Sequence, residues 1–411
     1  MTDNVRKSEM RKPLPSSRVG RIPPRWLPRL LVLLSMLPAV AASSDCAVGY
    51  RSGWNTGWYD PKTDDTPPGG SRYGACHYRG RIAYPGIDSL GILSAGSRLD
   101  YVELDGNFLY GIAKQGEGDS GPSSIVKMPM AGGAPATLVS GIQGRVTSFR
   151  KDAASLYWSV VDGGQGTIAK VSLDGGKVLK VVEVTDYVDA LALDGDDVYF
   201  RQGSANDDTG RIMKVRCNGG RPVVVVKTEG HVAKRIAFDA QSMFWAAAPS
   251  GSIRKMARAG GEAESLAGGS SIDEIAVGGG FVYWLDDGQR EGQGALRKVP
   301  VAGGTATTLA DHLENPRGLL LDAEFVYFAD DSFLVQRSNV CRDGTSIQKV
   351  PRRGGPRLEL LPGPCFSPLP FAVTNDRVYW SCRQSMDAAR ENQLLSVGKR
   401  EHWRPATEHP K

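Results

Sequence analysis

Between residues 100 and 400 the apolar positions come in short bursts of alternating or continuous Val, Ile, Leu and aromatic residues, punctuated by Gly, Asp and Asn. Within these bursts an aromatic pair recurs: Tyr157-Trp158, Tyr199-Phe200, Phe244-Trp245, Tyr283-Trp284, Tyr327-Phe328 and Tyr379-Trp380, with Leu109-Tyr110-Gly111 as an incomplete first copy. The first aromatics are spaced by 47, 42, 45, 39, 44 and 52 residues. Five positions upstream stand Asp105, Asp152, Asp194, Asp239, Gly278, Asp322 and Thr374. Downstream comes an apolar-x-Lys step ending at Lys127, Lys170, Lys214, Lys255, Lys298 and Lys349, and then a Gly-Gly pair beginning at 132, 175, 219, 260, 303 and 354. Four features at one period describe a repeated supersecondary unit.

Each unit predicts four short strands. Strand A ends at the Asp, strand B carries the aromatic pair, strand C is the Ile-x-Lys-Val stretch, and strand D follows Gly-Gly, as over Thr305 to Leu309. Asp followed by Gly, Ala or Asn suits a tight A–B turn, and Gly-Gly supplies the positive φ of a C–D turn. Strands apolar on both faces are buried on both sides, as radially stacked sheets require. Four strands per ~40–45 residues is the spacing of a β-propeller blade. The fold class is therefore all-β, a propeller of seven blades with six as the alternative. The seventh unit has no Gly-Gly and no D strand of its own. Leu90–Gly96 resembles the D strand Ala136–Gly141, so this N-terminal strand is expected to complete the last blade and remove a long exposed edge.

Tyr283-Trp284-Leu285-Asp286 and Tyr327-Phe328-Ala329-Asp330 resemble the Tyr-Trp-Thr-Asp repeats of lipoprotein-receptor-type propellers. The stretch 90–400 is also similar to secreted bacterial relatives of that YWTD/NHL-like family, which lack an assigned function. The motif departs from the family pattern at Trp158, Phe200, Trp245 and Trp380, none of which is followed two residues later by Asp. Animal members have six blades. The resemblance implies the fold and a lean towards binding a protein or ligand, and it supplies no catalytic residues.

Residues 1–41 read as a signal peptide: eight basic residues, an apolar run from Leu30 to Leu37 too short to span a bilayer, and Ala39-Val40-Ala41 as a cleavage site. A retained membrane anchor and a lipid-bearing Cys46 are the rival readings. The formal charge of +5 resides in this leader; residues 42–411 carry 42 basic and 43 acidic residues. A nucleic-acid or anionic-membrane partner, which calls for a clustered basic surface, is excluded on that ground. The mature protein is expected to be exported to the periplasm or beyond, monomeric and without a membrane span. Residues 42–89 form a Cys-, Trp- and Gly-rich extension, 90–400 the propeller, and 401–411 a tail. Cys46 and Cys76 are expected to close a disulfide loop, two of Cys341, Cys365 and Cys382 to pair, and Cys217 to stay unassigned.

Candidate chemistry is sparse. Gly118-Asp119-Ser120-Gly121-Pro122 resembles a chymotrypsin-type nucleophile loop but lacks a histidine in a matching context. His231 and His312 fall in D–A loops. The repeated lysines and turn aspartates read as scaffold, each lysine laying its stem on an aromatic with its charge in solvent. Positions that should be equivalent yet differ are more informative. Five residues before the turn Asp the series is Asp100, Thr147, Asp189, Lys234, Asp273, Arg317 and Leu369. Asp100, Asp189, Lys234, Asp273 and Arg317 are the candidate ligand-binding residues; the alternative is mutual ion pairing around a wet channel. No cofactor is required, although Ca²⁺ is the one metal the three aspartates would suit. The expected function is a non-catalytic binding module for a protein or carbohydrate, using the channel mouth and the B–C loops at 113–123, 201–210, 285–294 and 329–345. A channel-metal hydrolase or lactonase and an envelope scaffold are the alternatives.

Overall fold

The computed structural model describes residues 49–52, 55–58, 87–92, 97–115, 121–131, 134–204, 210–228, 232–288, 292–331, 345–362, 366–383 and 392–400. The chain divides into Met1–Ser43 and Ser44–Lys411, and every described residue lies in the second unit. A hairpin pairs Gly49–Ser52 with Asn55–Trp58. The rest is seven four-stranded antiparallel sheets. Blades 1 to 7 start with the inner strands Ser97–Asp105, Arg145–Lys151, Tyr187–Asp194, Val232–Phe238, Ile272–Gly278, Pro316–Leu321 and Phe366–Val373. These inner strands touch one another in ring order, the seventh returning to the first. The molecule is a seven-bladed β-propeller.

Closure follows the expected plan. The last sheet runs Phe366–Val373, Arg377–Arg383, Asn392–Gly398 and then Ile87–Ile92, which pairs antiparallel with Asn392–Gly398. The closing strand begins at Ile87 rather than Leu90, and its ladder slips between Ser89 and Gly91. Outer strands also sit later than the sequence suggests: Thr307–Leu313 replaces 305–309, because both glycines of each described Gly-Gly pair take positive φ and the turn extends beyond them.

The aromatic pair explains how blades stack. Side chains alternate across strand B, so the first aromatic of one blade faces the next blade and meets that blade's second aromatic. Tyr110 clusters with Trp158, Tyr157 with Phe200, Tyr199 with Trp245, Phe244 with Trp284, Tyr283 with Phe328, and Tyr327 with Trp380. The seventh interface, between blades 7 and 1, is built from Leu394, Leu99 and Leu109. Gly111 stands there in place of the second aromatic. A Cβ on Gly111 would sit 2.7 Å from Leu99 Cδ1, so Leu99 fills the volume that indole or phenyl fills elsewhere. The incomplete repeat therefore lies at the seam of the ring.

Two kinds of A–B turn carry the repeated acidic position. In blades 1, 3 and 5 a positive-φ glycine follows at Gly106, Gly195 and Gly279. In blades 2, 4 and 6 the carboxylate braces the turn: Asp152 Oδ1 accepts from Ala154 and Ser155 N–H, both at 2.7 Å, and Asp239 and Asp322 repeat the pattern. The other oxygen of Asp152 accepts from Tyr157 Oη at 2.8 Å, and that of Asp322 from Tyr327 Oη at 2.7 Å. Asp286 and Asp330, the acidic members of the Tyr-aromatic-x-Asp motif, are buried and tie down D–A loops by accepting from Ser270 and Ser271 N–H and from Glu314 and Asn315 N–H.

The strand-C lysines lie over aromatics, Lys127 at 4.3 Å from Phe108, Lys298 at 4.6 Å from Phe281 and Lys349 at 5.1 Å from Phe325. Their charges are bonded and not merely solvated, which corrects the sequence reading: Lys214 and Lys255 pair with Asp197 and Glu264 of their own blades, and four others reach the next blade. Lys127 Nζ donates to Leu173 O (3.1 Å) and Asp174, Lys170 to Asn218 Oδ1 (2.9 Å), Lys298 to Arg352 O (2.5 Å) and Lys349 to Lys399 O. Each acceptor follows strand C of the next blade, so the lysine staples neighbours along the ring where side chains of that length can just reach.

One consequence is a defined acid response. Burial pushes Asp152 and Asp322 upward, but their N–H and tyrosine donors, and Lys399 for Asp322, more than offset it and hold both below the usual carboxylate range. A depressed folded pKa contributes stability that is complete above the unfolded value near ~3.9 and is lost as pH falls through the folded value. The melting temperature is expected to fall below about pH 4, and Asp322→Asn to flatten that fall; calorimetry at stepped pH reads it. An unchanged slope in the variant would remove Asp322 from the account.

Candidate ligand-binding channel

Seven inner strands surround the channel, each paired on one side only. In every one the ladder slips within the same three positions, three to five residues before the A–B turn position: between Asp100 and Val102, Val146 and Ser148, Asp189 and Ala192, Lys234 and Ile236, Ile272 and Glu274, Arg317 and Leu320, and Pro370 and Ala372. A bulge re-aims the side chain beside it. At this position Tyr101, Ala190 and Arg235 have left-handed φ of 51°, 52° and 28°, and Gly318 has 71°.

The five candidate residues sit at this level, and the structure gives most of them ion-pair partners. Asp100 Oδ2 lies 3.4 Å from Lys114 Nζ. Asp189 takes both arms of Arg201, at 2.6 and 2.9 Å, and that guanidinium stacks on Tyr187. Lys234 pairs with Asp273 across blades 4 and 5. Arg317 is partly buried and engaged. Thr147 Oγ1 donates to Val188 O at 2.6 Å, joining blades 2 and 3. Among the described residues no three His, Cys, Asp or Glu side chains are grouped closely enough to hold a metal ion, so Asp100, Asp189 and Asp273 do not converge.

Other side chains reach the channel. Arg235 of blade 4 interacts electrostatically with Tyr101 and Glu103 of blade 1 and with Arg150 of blade 2. Glu274 of blade 5 also acts on Arg150. None of these pairs belongs to adjacent blades, so the interactions cross the channel. Tyr101 is 38% exposed although it lies on an innermost strand, which places its ring against channel water. Burial pushes Tyr101 and Glu103 up, opposed at Glu103 by Arg150, whose Nη1 is 3.7 Å away. Burial and then the charge of Arg235 push Arg150 down to about 10. Groups that touch water yet feel desolvation are what an enclosed, wet channel produces. Glu274 spends both oxygens on Gly318 and Leu319 N–H, at 3.0 and 2.8 Å, stapling blade 5 to blade 6. Tyr101, Glu103, Arg150, Arg235 and Glu274 escaped the sequence reading, which stopped at the residue before the slip in blades 1 and 4 and at Asp273, inside the slip, in blade 5.

His312 is exposed and lies 3.1 Å from Asp311; His231 lies outside the described residues. So do most of the 118–122 segment, the tips of the four long B–C loops, the 1–41 leader and Cys46, Cys76, Cys341 and Cys365. The side chain of Cys382 is likewise outside them, and Cys217 is a free, partly buried thiol. Among the described residues no helix is long and apolar enough to cross a membrane.

No family model and no curated protein matches the chain. Solved structures do. A puromycin hydrolase aligns with TM-score 0.55 at 13% identity, over 75% of this chain and 54% of that one. A prolyl endopeptidase aligns with TM-score 0.53 at 10% identity, over 75% and 51%. The propeller domain of the Trilobed protease from Pyrococcus furiosus aligns with TM-score 0.50 at 11% identity, over 75% and 97%. The chain thus spans about half of the two hydrolases and nearly all of an isolated propeller domain. At these identities the likeness defines the class of protein, a β-propeller, and nothing finer.

Proposed function

We propose that this protein is an exported, non-catalytic binding module whose ligand, a carbohydrate or a segment of another protein, seats at the channel mouth between the D–A loops. The observation that carries this reading is the left-handed backbone at Tyr101 and Arg235. Strain of this kind costs about 1–3 kcal/mol per residue and gathers at ligand sites. Repeated polar groups are consumed by the scaffold: aspartates brace turns, and lysines staple blades. The charged groups left facing the channel are those that do not repeat. The Tyr-Trp-x-Asp likeness supports a binding role in the same direction. The test is a thermal-shift screen of the full chain against neutral and charged sugars, amino acids and short peptides, repeated with Tyr101→Ala. At least one class is expected to raise the melting temperature in the parent and not in the variant. No shift from any class, or shifts that Tyr101→Ala leaves intact, would remove the channel as the binding site.

A further inference from the structure

Three arginines face the channel from two blades: Arg145 and Arg150 on blade 2 and Arg235 on blade 4. Their natural counter-charges are few. Glu103 pairs with Arg150. Glu274 turns one oxygen to each of the Gly318 and Leu319 N–H groups and pairs with no arginine among the described residues. Asp100, Asp189 and Asp273 are held by Lys114, Arg201 and Lys234. Among the described residues the side chains of Arg145 and Arg235 make no hydrogen bond or ion pair, although both act electrostatically on Tyr101. Both arginines are exposed on innermost strands, so their planar forks are open to the channel and suit a carboxylate or phosphate.

The backbone adds an independent observation. At the slip in blade 6 the chain uses Gly318, the residue for which a left-handed φ is cheap. Blades 1 and 4 place Tyr101 and Arg235 in that region, where an L side chain is strained. Blade 3 places Ala190 there too, so the left-handed backbone comes with the slip, and what sets blades 1 and 4 apart is the size of the side chain they carry there. The two large side chains are aimed at the same water-filled space from non-adjacent blades.

We propose that the channel binds an oxyanion, the carboxylate or phosphate of a ligand, held between Arg145 and Arg235 with the Tyr101 ring as its wall. This rests on the channel-binding reading above and specifies its anchoring chemistry. Arg150, fixed by Glu103, adds positive potential behind the anion. Tyr187, on the blade between the two arginines, lies within the field of Arg145 and completes the aromatic side.

The experiment uses the full chain and two probes, inorganic phosphate and citrate, titrated calorimetrically against sodium chloride of equal ionic strength. One or both probes are expected to bind, with a phosphate-only result pointing to a phosphoryl ligand and a citrate-only result to a carboxylate. Arg235→Gly is expected to weaken binding at least tenfold while melting at or above the parent temperature without probe, because glycine relieves the left-handed strain. Arg145→Ala is a second variant, at an exposed position, expected to weaken binding by a similar factor. Binding of neither probe, or binding that both variants leave unchanged, overturns the proposal. If a neutral sugar or peptide binds and Tyr101→Ala abolishes it while phosphate and citrate do nothing, the oxyanion assignment falls and channel binding stands. If nothing binds, both fall.

Discussion

Trp284→Ala is expected to destabilise the propeller by about 4 kcal/mol, whereas Trp284→Phe changes stability by no more than about 1 kcal/mol. The indole is fully buried and packs with Phe244, Ile272 and Val299 at the interface of blades 4 and 5. Truncation to a methyl leaves a cavity between two sheets whose strands are pinned by ladder bonds and which the Lys234–Asp273 pair ties together, so collapse is limited. Phenylalanine loses volume but also removes a liability. Nε1 of Trp284 is buried without a hydrogen-bond partner among the described residues, as are those of Trp245 and Trp380. An unsatisfied buried donor costs about 1–3 kcal/mol, comparable to the packing lost with the smaller ring. Blades 3 and 6 already use Phe200 and Phe328 at this position, both fully buried. Urea titration of both variants decides the matter: equal, large losses for Phe and Ala would mean that the indole N–H has a partner in solution.

Gly166→Ala is expected to cost about 3 kcal/mol or to prevent folding at physiological temperature. Gly166 starts strand C of blade 2 with φ outside the left-handed region, so the penalty is steric and not conformational. A Cβ there would lie 2.1 Å from Val188 Cγ2 and 2.4 Å from Asp186 O. Val188 is fully buried, and Asp186 lies in the loop that leads from blade 2 into the inner strand of blade 3. Neither can yield without shifting one blade against the next. Gly268 is the control: it lies in an outer strand, and a Cβ there meets nothing within 4 Å. Gly268→Ala is expected to melt within about 1 kcal/mol of the parent. A Gly166→Ala protein that melts like this control would show that blades 2 and 3 can separate cheaply.

These two cases mark what was legible in the sequence. The blade repeat was, because each aromatic pair must bracket two interfaces and that requirement recurs with every blade. The brace at Asp152, Asp239 and Asp322 was legible for the same reason, since the turn imposes it. The closing strand could be read by its likeness to another outer strand, although its start was displaced to Ile87. The channel was not legible in this way. Its lining depends on where each inner ladder slips, and a slip leaves no periodic trace. Reading one residue too early selected Asp100 and Lys234, which are consumed by ion pairs, in place of Tyr101 and Arg235. A side-chain signal was nevertheless present: Gly318 in the equivalent place marks the position as left-handed. The reach of Lys127, Lys298 and Lys349 into the following blade was also hidden, because it depends on the stagger between sheets and not on the spacing within one.

The seam has a mechanical meaning. Ile87 pairs with Val397 and Ile92 with Gln393, so the two chain ends leave the last blade from the same end of one antiparallel pair. Tension applied between them would peel that ladder one hydrogen bond at a time and would not load all its bonds together in shear. The opposite side of the ring would feel little until the pair had parted. A particle tethered through both ends would therefore yield first, and at low force, within the last blade, at the ladder between Ile87–Ile92 and Asn392–Gly398.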